Sequence, residues 1–389
     1  MPFAFSVPDV GFLTSGAGRA ALAAFVPGGD PLRDVAAARR LVGEERAAAL
    51  LETALLRSRA SGRLPDDWLW TADALEQATA LPVAEHRARR LAAVVADGRV
   101  VHDVTCSVGV EVAALSGVLD RVVGSDLDPV RLAMARANVP GAWLVRADAR
   151  APVTRHAVVV ADPARRTASG RRVRRPDEMT PPPASLPGPD LVVSTAPGLD
   201  FALVPWAREV ELVSLDGGVR EAALWSAGLV PGGGPRRRAT VLRSSGGGYE
   251  VTDLDDDTCP VTDVDQWLVD PDGAVVRAGL VRHYAARHGL AQLDPHLAYL
   301  TGPRPPSGTR AFRVLEHGPF SEKTLRQTLR RREVGRVEIL VRGVDVEPDR
   351  LRPKLKLAGP CAAAVVLARV GRGARAFVCE TVTTPGSQR

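Results

Sequence analysis

The chain has 389 residues, enough for two or three domains, and its 45% hydrophobic and 25% charged residues exclude a disordered or fibrous protein. It contains no apolar run long enough to span a bilayer and no basic N-terminal segment typical of a signal peptide, so we expect a cytoplasmic protein with no membrane contact. The four cysteines are scattered and no His-Glu-x-x-His motif occurs, so we expect neither a disulfide framework nor a metal site.

The excess positive charge lies in the last fifth of the chain. Residues 311–389 contain 16 Lys and Arg against 8 Asp and Glu, a net charge of +8. Residues 1–310 contain 35 against 37, a net charge of −2. A basic segment joined to a nearly neutral body indicates a polyanionic partner.

The first 97 residues are predicted to form a helical region. Apolar residues recur at helical spacing over 33–60, and further helices are predicted over 70–78 and 82–97. From residue 98 to residue 246, short β-branched runs alternate with helical stretches. Predicted strands lie at 99–105, 121–125, 142–145, 157–161, 191–195, 210–215 and 239–243, with a helix at 220–227 before the last. This alternation predicts an α/β, Rossmann-like domain of seven strands.

The remainder divides into a connector and a tail. Residues 247–309 are predicted to form an acidic connector with short helices. Residues 310–389 show the order β-α-β-α-β-β, with a helix capped by Ser321 and a hairpin at 371–373. The tail is therefore predicted to be a small α+β domain with its helices on one face of the sheet.

Carboxylates follow four successive strands of the predicted α/β domain. The segment 102–109, HDVTCSVG, ends the first strand, and Gly109 would let a ligand approach the start of the next helix. Asp126 ends the second strand, where an acid can bind both hydroxyls of a ribose, and Asp148 is placed to accept from an adenine amino group. Asp162 ends the fourth strand. Because ligands bind at the carboxyl ends of such strands, these positions predict a nucleotide-type cofactor site.

These segments resemble the motifs of class I S-adenosylmethionine-dependent methyltransferases. The matching segments are 103–109 (DVTCSVG), 125–129 (SDLDP), 147–149 (ADA) and 162–166 (DPARR). The resemblance implies that S-adenosylmethionine is the cofactor. The residues it assigns to cofactor binding are Asp103, Thr105, Cys106, Gly109, Asp126, Leu127, Asp148, Ala149 and Asp162.

The resemblance extends over nearly the whole chain. The segments 74–79 (ALEQAT) and 86–88 (HRA) are similar to the helical lead-in of one subgroup of these enzymes, whose members carry a THUMP-like C-terminal domain. In the tail, the similar segments are 299–302 (YLTG), 314–316 (VLE), 342–345 (RGVD) and 355–359 (LKLAG). THUMP domains are associated with RNA-modifying enzymes, so the resemblance implies an RNA partner, with tRNA favoured.

Asp162 and Arg165 are the predicted catalytic residues. Related enzymes that methylate exocyclic amines have a second proline and an aromatic residue where this sequence has Ala164 and Arg165. Arg165 is therefore expected to stack on a base or to hold a phosphate. An exocyclic amine, a ring nitrogen and an oxygen all stay open as the methylated atom.

Two basic groups are predicted to contact RNA. The first, which includes Arg166, Arg171 and Arg172, precedes the run 181–183 (PPP), and the two together indicate a mobile arm over the substrate. The second lies in the tail and comprises Arg330, Arg331, Arg332, Lys354 and Lys356. Two other functions are compatible with the sequence. One is a small-molecule methyltransferase whose tail is a dimerisation unit; the other is a non-catalytic protein that binds S-adenosylmethionine and RNA.

Overall fold

The computed structural model describes residues 3–96, 98–164, 173 and 175–381. The chain divides into two compact units. The first comprises Met1–Leu215, Arg220–Gly234 and Leu242–Gly247, and the second comprises Asp216–Val219, Pro235–Val241 and Gly248–Arg389. In the part of the chain that the structure describes, no helix is both long and apolar enough to cross a membrane.

The first unit begins with six helices, which confirms the predicted helical region. They are α1 (Val7–Thr14), α2 (Gly16–Ala24), α3 (Pro31–Val42), α4 (Glu44–Ala60), α5 (Ala72–Gln77) and α6 (Leu81–Ala92). The helical stretch predicted over 33–60 is divided at Gly43, which has a φ of +80°. The side chain of Asp30 caps α3 by accepting from the backbone N–H groups of Leu32 and Arg33.

Strands and helices then alternate along the chain. The elements are β1 (Val101–Asp103), α7 (Val110–Ser116), β2 (Val122–Asp126), α8 (Pro129–Asn138), β3 (Trp143–Arg146), β4 (Val158–Ala161), β5 (Leu191–Thr195), β6 (Ala207–Leu215) and β7 (Gly218–Ser226). Their order in the sheet is β3-β2-β1-β4-β5-β7-β6. The strands from β3 to β5 are parallel, whereas β7 is antiparallel to β5.

Both faces of this sheet are buried. On one face Val101, Val158 and Val192 belong to the same apolar cluster as Leu56 of α4 and Leu91 of α6. On the other face a second cluster contains residues of β4, β5 and β7 and of the loops that follow β4 and β5. The N-terminal helices therefore form one covering layer of the α/β sheet.

The helix predicted over 220–227 is wrong, because these residues form β7. Ala and Leu in this segment favour a helix in isolation. In the protein, Val192 of β5 pairs with Trp225, and both faces of β7 are buried from Glu221 to Ser226. A strand buried on both faces shows no alternation of polar and apolar residues, so the sequence pattern conceals it. The strand predicted over 239–243 exists, but it follows β7 as β8 (Arg237–Leu242).

The second unit contains the tail and most of the predicted connector. After β8 its elements are β9 (Gly248–Thr252), β10 (Trp267–Asp270), α9 (Gly273–Ala278), α10 (Val281–His288), β11 (Ala291–Gln292), β12 (Leu300–Gly302), β13 (Arg310–Pro319), α11 (Glu322–Arg331), β14 (Val334–Arg342), α12 (Pro348–Lys354), β15 (Cys361–Val370) and β16 (Gly373–Thr381). From residue 310 onward the observed order is the predicted β-α-β-α-β-β.

The tail strands share one sheet with strands of the connector, in the order β11-β12-β10-β13-β16-β15-β14. Leu325 of α11 and Leu351 of α12 pack with Val365 on one face. On the other face Leu293 and Tyr299, which belong to the connector, lie in one apolar cluster with residues of β13, β15 and β16. The connector is therefore part of the tail's core and is not the separate segment that its acidic composition predicted.

Candidate cofactor site

The loop between β1 and α7 is fixed to the end of β2 by backbone hydrogen bonds. Asp103, the last residue of β1, accepts at Oδ1 from the backbone N–H of Thr105 at 3.1 Å. The N–H of Cys106 donates to the carbonyl of Ser125 at 2.9 Å. The Cys106 side chain is buried, and burial followed by the charges of Asp103 and Asp126 raises the pKa of its thiol. Its side chain therefore acts as a packing residue, and the loop is held by its backbone.

Gly109 precedes α7 in a conformation that other residues adopt rarely. Its φ is +101°, and a Cβ atom there would lie 2.9 Å from Cγ2 of Val139, close to the end of α8. The glycine therefore allows α7 and α8 to approach each other. This packing requirement is independent of the predicted approach of a ligand to the same residue.

Asp126 has the clearest orientation among the predicted ligands. Its Oδ2 accepts from the N–H of Ser107 at 3.0 Å, and its Oδ1 accepts from the N–H of Asp128 at 2.9 Å. Next to it, the side chain of Leu127 is 58% exposed. A fixed carboxylate beside an exposed apolar side chain fits a ligand that carries hydroxyl groups and a ring.

Asp148 is already paired with a neighbouring side chain. Its Oδ2 lies 2.6 Å from Nη2 of Arg150, and Oδ1 accepts from the Arg150 backbone N–H at 2.9 Å. The hydrogen bonds from the Arg150 side chain and backbone lower the pKa of Asp148 to about 2. Arg150 therefore competes with any ligand for this carboxylate, and the predicted contact with adenine stays a prediction. The next residue, Ala149, is buried.

Asp162 follows β4 and is connected to the loop after β1. Its backbone N–H donates to Oγ1 of Thr105 at 2.7 Å. The predicted residues Arg165, Arg166, Arg171 and Arg172 lie outside the described residues. The run 181–183, predicted to be a mobile loop, is part of a packed segment, because Thr180 forms a β-bridge with Ala164 and Pro183 is buried.

A buried ionic cluster, which the sequence did not predict, lies beneath this edge of the sheet. The guanidinium of Arg87 (α6) contacts the carboxylates of Glu111 (α7) at 2.9 Å and Glu221 (β7). The second oxygen of Glu221 accepts from the hydroxyl of Ser194 at 2.9 Å. Burial disfavours the charged form of Arg87, but the charges of Glu111, Glu221 and Asp162 outweigh this effect and raise its pKa.

A second set of ion pairs joins α6 to β6. Arg90 contacts Glu209 at 2.6 Å and Glu211 at 2.5 Å, and its guanidinium lies 4.0 Å from the ring centroid of Trp225. His86 lies 2.7 Å from Glu211. The sequence spacing was the available signal for these ion pairs. Basic residues at 86, 87 and 90 lie within one turn of a helix, and the glutamates at 209 and 211 lie on the same face of a strand.

The side-chain groups at the strand ends fit S-adenosylmethionine, the cofactor that the sequence resemblance implies. Asp126 offers acceptors for hydroxyl groups, and Leu127 offers an apolar surface. Oδ2 of the buried Asp103 has no hydrogen-bond partner among the described residues. A buried carboxylate oxygen without a donor is costly, so it fits a ligand that supplies one.

In the second unit, the candidate RNA contacts fall into two groups. Arg331 and Arg332 both approach Glu316, at 2.8 and 3.6 Å, and Lys354 lies 2.8 Å from Glu322. These three cations are partly neutralised by glutamates. Arg330 and Lys356 are exposed, and neither has an ion-pair partner among the residues that the structure describes.

The sheet order with an antiparallel β7, and the carboxylates at the ends of β1, β2 and β4, define the domain as a class I S-adenosylmethionine-dependent methyltransferase fold. Comparison with known proteins agrees. The chain is 52% identical over 359 residues to a protein of Mycobacterium tuberculosis (strain H37Rv) named an uncharacterised S-adenosylmethionine-dependent methyltransferase, covering 88% of this chain and 98% of that one. A protein of strain CDC 1551 with the corresponding name shows the same identity and coverage. The chain belongs to this family of S-adenosylmethionine-dependent methyltransferases.

Two family models match segments of the chain, and a solved structure is similar to nearly all of it. The THUMP domain-like family matches residues 309–381, and a domain of unknown function matches residues 6–60. A crystal structure of a putative methyltransferase from Porphyromonas gingivalis W83 has a TM-score of 0.73 and 19% identity, covering 98% of this chain and 100% of that one. This likeness concerns the fold.

Proposed function

We propose that this methyltransferase modifies a nucleotide of RNA, with tRNA as the first candidate, and that its THUMP-like segment contacts the RNA backbone. The observation that carries the proposal is the net charge of +8 over residues 311–389, which overlap the segment 309–381 that the THUMP domain-like family matches. Such a charge attracts a polyanion of any sequence. Base recognition and chemistry would then belong to the methyltransferase unit.

The side of α11 opposite the core supports this assignment. Lys323, Arg326 and Arg330 are spaced at i, i+3 and i+7, so they lie along one side of the helix. Leu325 and Leu329 are buried in the core. Within the described ranges, the three cations form no ion pair. This basic stripe of Lys323, Arg326 and Arg330 is a better candidate phosphate surface than Arg331 and Arg332, which are held by Glu316.

We assign Asp162 to positioning the nucleophile. S-adenosylmethionine, when bound, supplies a methyl group on a positively charged sulfur, so the enzyme mainly needs to align the attacking atom. A carboxylate at the end of β4 accepts a hydrogen bond from an N–H or O–H group of the substrate. The contact between Asp162 and Thr105 fixes the backbone from which this carboxylate projects.

The basic stripe is tested by measuring binding of an unmodified tRNA transcript by fluorescence anisotropy from low to physiological salt. Losing two phosphate contacts in Lys323→Gln/Arg330→Gln should lower the slope of log K against log salt by about 1.4–1.8. The matched control is Arg40→Gln/Arg59→Gln, which removes two exposed arginines near the ends of α3 and α4. An equal change in both variants would contradict a specific role of α11.

Substrate class is tested by methyl transfer. Labelled S-adenosylmethionine should label the unmodified transcript, and Asp162→Ala should lower kcat without weakening cofactor binding. Mass spectrometry of tRNA nucleosides from wild-type and deletion strains should show one methylated nucleoside lost. Labelling of a small molecule and not of RNA would support the small-molecule alternative.

A further inference from the structure

The crossover between β3 and β4 covers the sheet incompletely. Its residues, 147–157, are all described and none of them is helical, whereas α7 and α8 pack on the opposite face of the sheet. The apolar cluster on this second face contains residues of β4, β5 and β7. It contains no residue of β3, which is an edge strand with no buried residue. The second face of the sheet is therefore open at β3.

Trp143, the first residue of β3, occupies this uncovered part of the sheet. Its side chain is 61% exposed, whereas those of the other five tryptophans are buried or half-buried. In the sheet register Trp143 lies beside Val123, and Val123 lies beside His102, so these three side chains are on one face. Val145 is two residues further along β3, so it is on this face too, and it is half-buried like Val123. The apolar side chains of Trp143, Val123 and Val145 form the open face.

The crossover borders the open face on one side. Oγ1 of Thr154 lies 2.8 Å from Nδ1 of His102, and Nε2 of His102 lies 2.9 Å from Oγ of Ser125. These contacts hold the crossover above β1. Val153, the residue before Thr154, is 59% exposed and adds to the apolar surface. The crossover therefore limits the open face without covering it.

Two exposed arginines flank the open face. Arg121 directly precedes β2, and the alternation of side chains along a strand places it on the same face as Val123. Arg155 lies in the crossover. Neither arginine forms an ion pair within the described ranges, and Arg121 donates one hydrogen bond to the carbonyl of Gly98 at 3.0 Å. Asp120, the acid nearest to Arg121 in sequence, belongs to the loop that follows α7 on the opposite face, so the flanks of the open face are positively charged.

We propose that the open face stacks a base of the RNA on Trp143, with phosphates of the same strand at Arg121 and Arg155. A tryptophan ring stacks on any base, and an arginine binds a phosphate through charged hydrogen bonds. A nucleic acid strand carries rings and anions at short intervals, which matches an apolar face between two cations. Addition of a second copy along β3 is opposed by Arg136, whose Nη2 donates to the backbone carbonyl of Leu144 at 3.3 Å.

The position of Trp143 implies that this base is not the methylated one. Arg146, three residues after Trp143, pairs with Asp126 at the carboxyl edge of the sheet, so Trp143 lies about 10 Å from that edge. Three strand spacings, about 14 Å, separate β3 from β4, after which Asp162 lies. A target base at Asp162 and a base on Trp143 therefore belong to different nucleotides. The inference rests on the proposed RNA substrate and adds a base contact to the proposed phosphate contacts of α11.

The test measures binding of an unmodified tRNA transcript to the full-length protein by fluorescence anisotropy over a range of salt concentrations. Trp143→Ala should weaken binding about 5- to 150-fold, and Trp143→Phe, which keeps a ring, should retain most of the affinity. Because stacking releases no counterions, Trp143→Ala should leave the slope of log K against log salt unchanged. Arg121→Gln/Arg155→Gln should instead lower this slope by about 1.4–1.8.

Leu32→Ala is the matched control, because it removes another exposed apolar side chain, in α3. It should leave the affinity for the transcript unchanged. Trp143→Ala should leave the affinity for S-adenosylhomocysteine and the free energy of unfolding nearly unchanged, since its side chain is largely exposed. Equal transcript affinities of the wild type and Trp143→Ala would overturn the inference, as would an equal loss in Leu32→Ala. A wild type that binds no transcript would refute the proposed RNA substrate itself, and the inference with it.

Two further measurements separate an RNA base from a protein partner. Stacking on a base quenches tryptophan fluorescence, so the transcript should quench the wild type more than Trp143→Phe. An equal quench in both proteins would contradict stacking on Trp143. Sedimentation should give the wild type and Trp143→Ala the same mass. A wild-type dimer that Trp143→Ala converts to a monomer with unchanged transcript affinity would assign the open face to a second copy of the chain.

Discussion

The backbone N–H of Asp162 donates to the hydroxyl of Thr105 at 2.7 Å, which joins the end of β4 to the loop after β1. The same loop contains Ser107, whose N–H binds the carboxylate of Asp126. The side chains of Thr105 and Asp126 therefore connect the ends of β1, β2 and β4. The proposed nucleophile-positioning residue and the proposed ribose-binding residue share one rigid support.

Removing the Thr105 hydroxyl should affect turnover more than cofactor binding. Thr105→Val deletes the acceptor for the Asp162 N–H, so kcat should fall about tenfold while the dissociation constant of S-adenosylmethionine changes less than threefold. Thr105→Ser keeps the hydroxyl and should retain most of the activity. If calorimetry instead shows an equal loss of cofactor affinity in Thr105→Val, Thr105 is a cofactor contact, as the sequence resemblance implies.

Asp126→Ala should weaken cofactor binding. The loss of a charged acceptor should cost about 1.5–3 kcal/mol, or roughly 10- to 150-fold in affinity, measured by calorimetry. Asp128→Ala is the matched control, because Asp128 caps α8 by accepting from the N–H groups of Val130 and Arg131. It should lower the free energy of unfolding by about 1 kcal/mol and leave affinity unchanged. Equal affinities in wild type and Asp126→Ala would refute the ribose assignment.

Gly109→Ala should destabilise the protein. The substitution places a Cβ 2.9 Å from Val139 and forces an alanine to a φ of +101°, so we expect the free energy of unfolding to fall by about 1–3 kcal/mol. Gly109→Ala/Val139→Ala relieves the contact but not the backbone strain, which separates the two causes. Gly11→Ala, within α1 and with no atom near the added methyl, should be neutral or slightly stabilising in the same urea titration.

The sequence correctly predicted those helices and strands whose own residues determine their secondary structure. The helix capped by Ser321 and the strand predicted over 191–195 are both found there, because a capping side chain and a continuous apolar run are local signals. The β7 strand was mistaken for a helix because its partner, β5, decides its structure. The connector was treated as separate from the tail because its packing partners lie beyond residue 310.

The strand-end carboxylates were predictable because parallel strands bring their carboxyl ends to one edge. Asp103, Asp126 and Asp162 were found in this way, and their roles stay predictions. The ionic cluster was not predictable, because Arg87 and Glu221 are 134 residues apart in sequence. Charged residues in an apparently amphipathic helix are ordinarily solvated, and only tertiary structure shows that Arg87 is buried.

His102 should make the protein less stable in acid. Its ring is fully buried between Thr154 Oγ1 at 2.8 Å and Ser125 Oγ at 2.9 Å, and burial lowers the pKa of His102 to about 4. Because an unfolded histidine binds its proton near pH 6.5, the unfolded state binds more protons than the folded state between pH 6.5 and 4. This histidine therefore contributes stability above pH 6.5 that is lost as the pH falls towards 4, by up to about 3 kcal/mol. Urea unfolding at pH 7.5, 6 and 5 should show a smaller loss of free energy on acidification for His102→Gln than for the wild type. Parallel pH profiles for the two proteins would show that His102 is protonated equally in both states, and that its contacts do not keep it neutral.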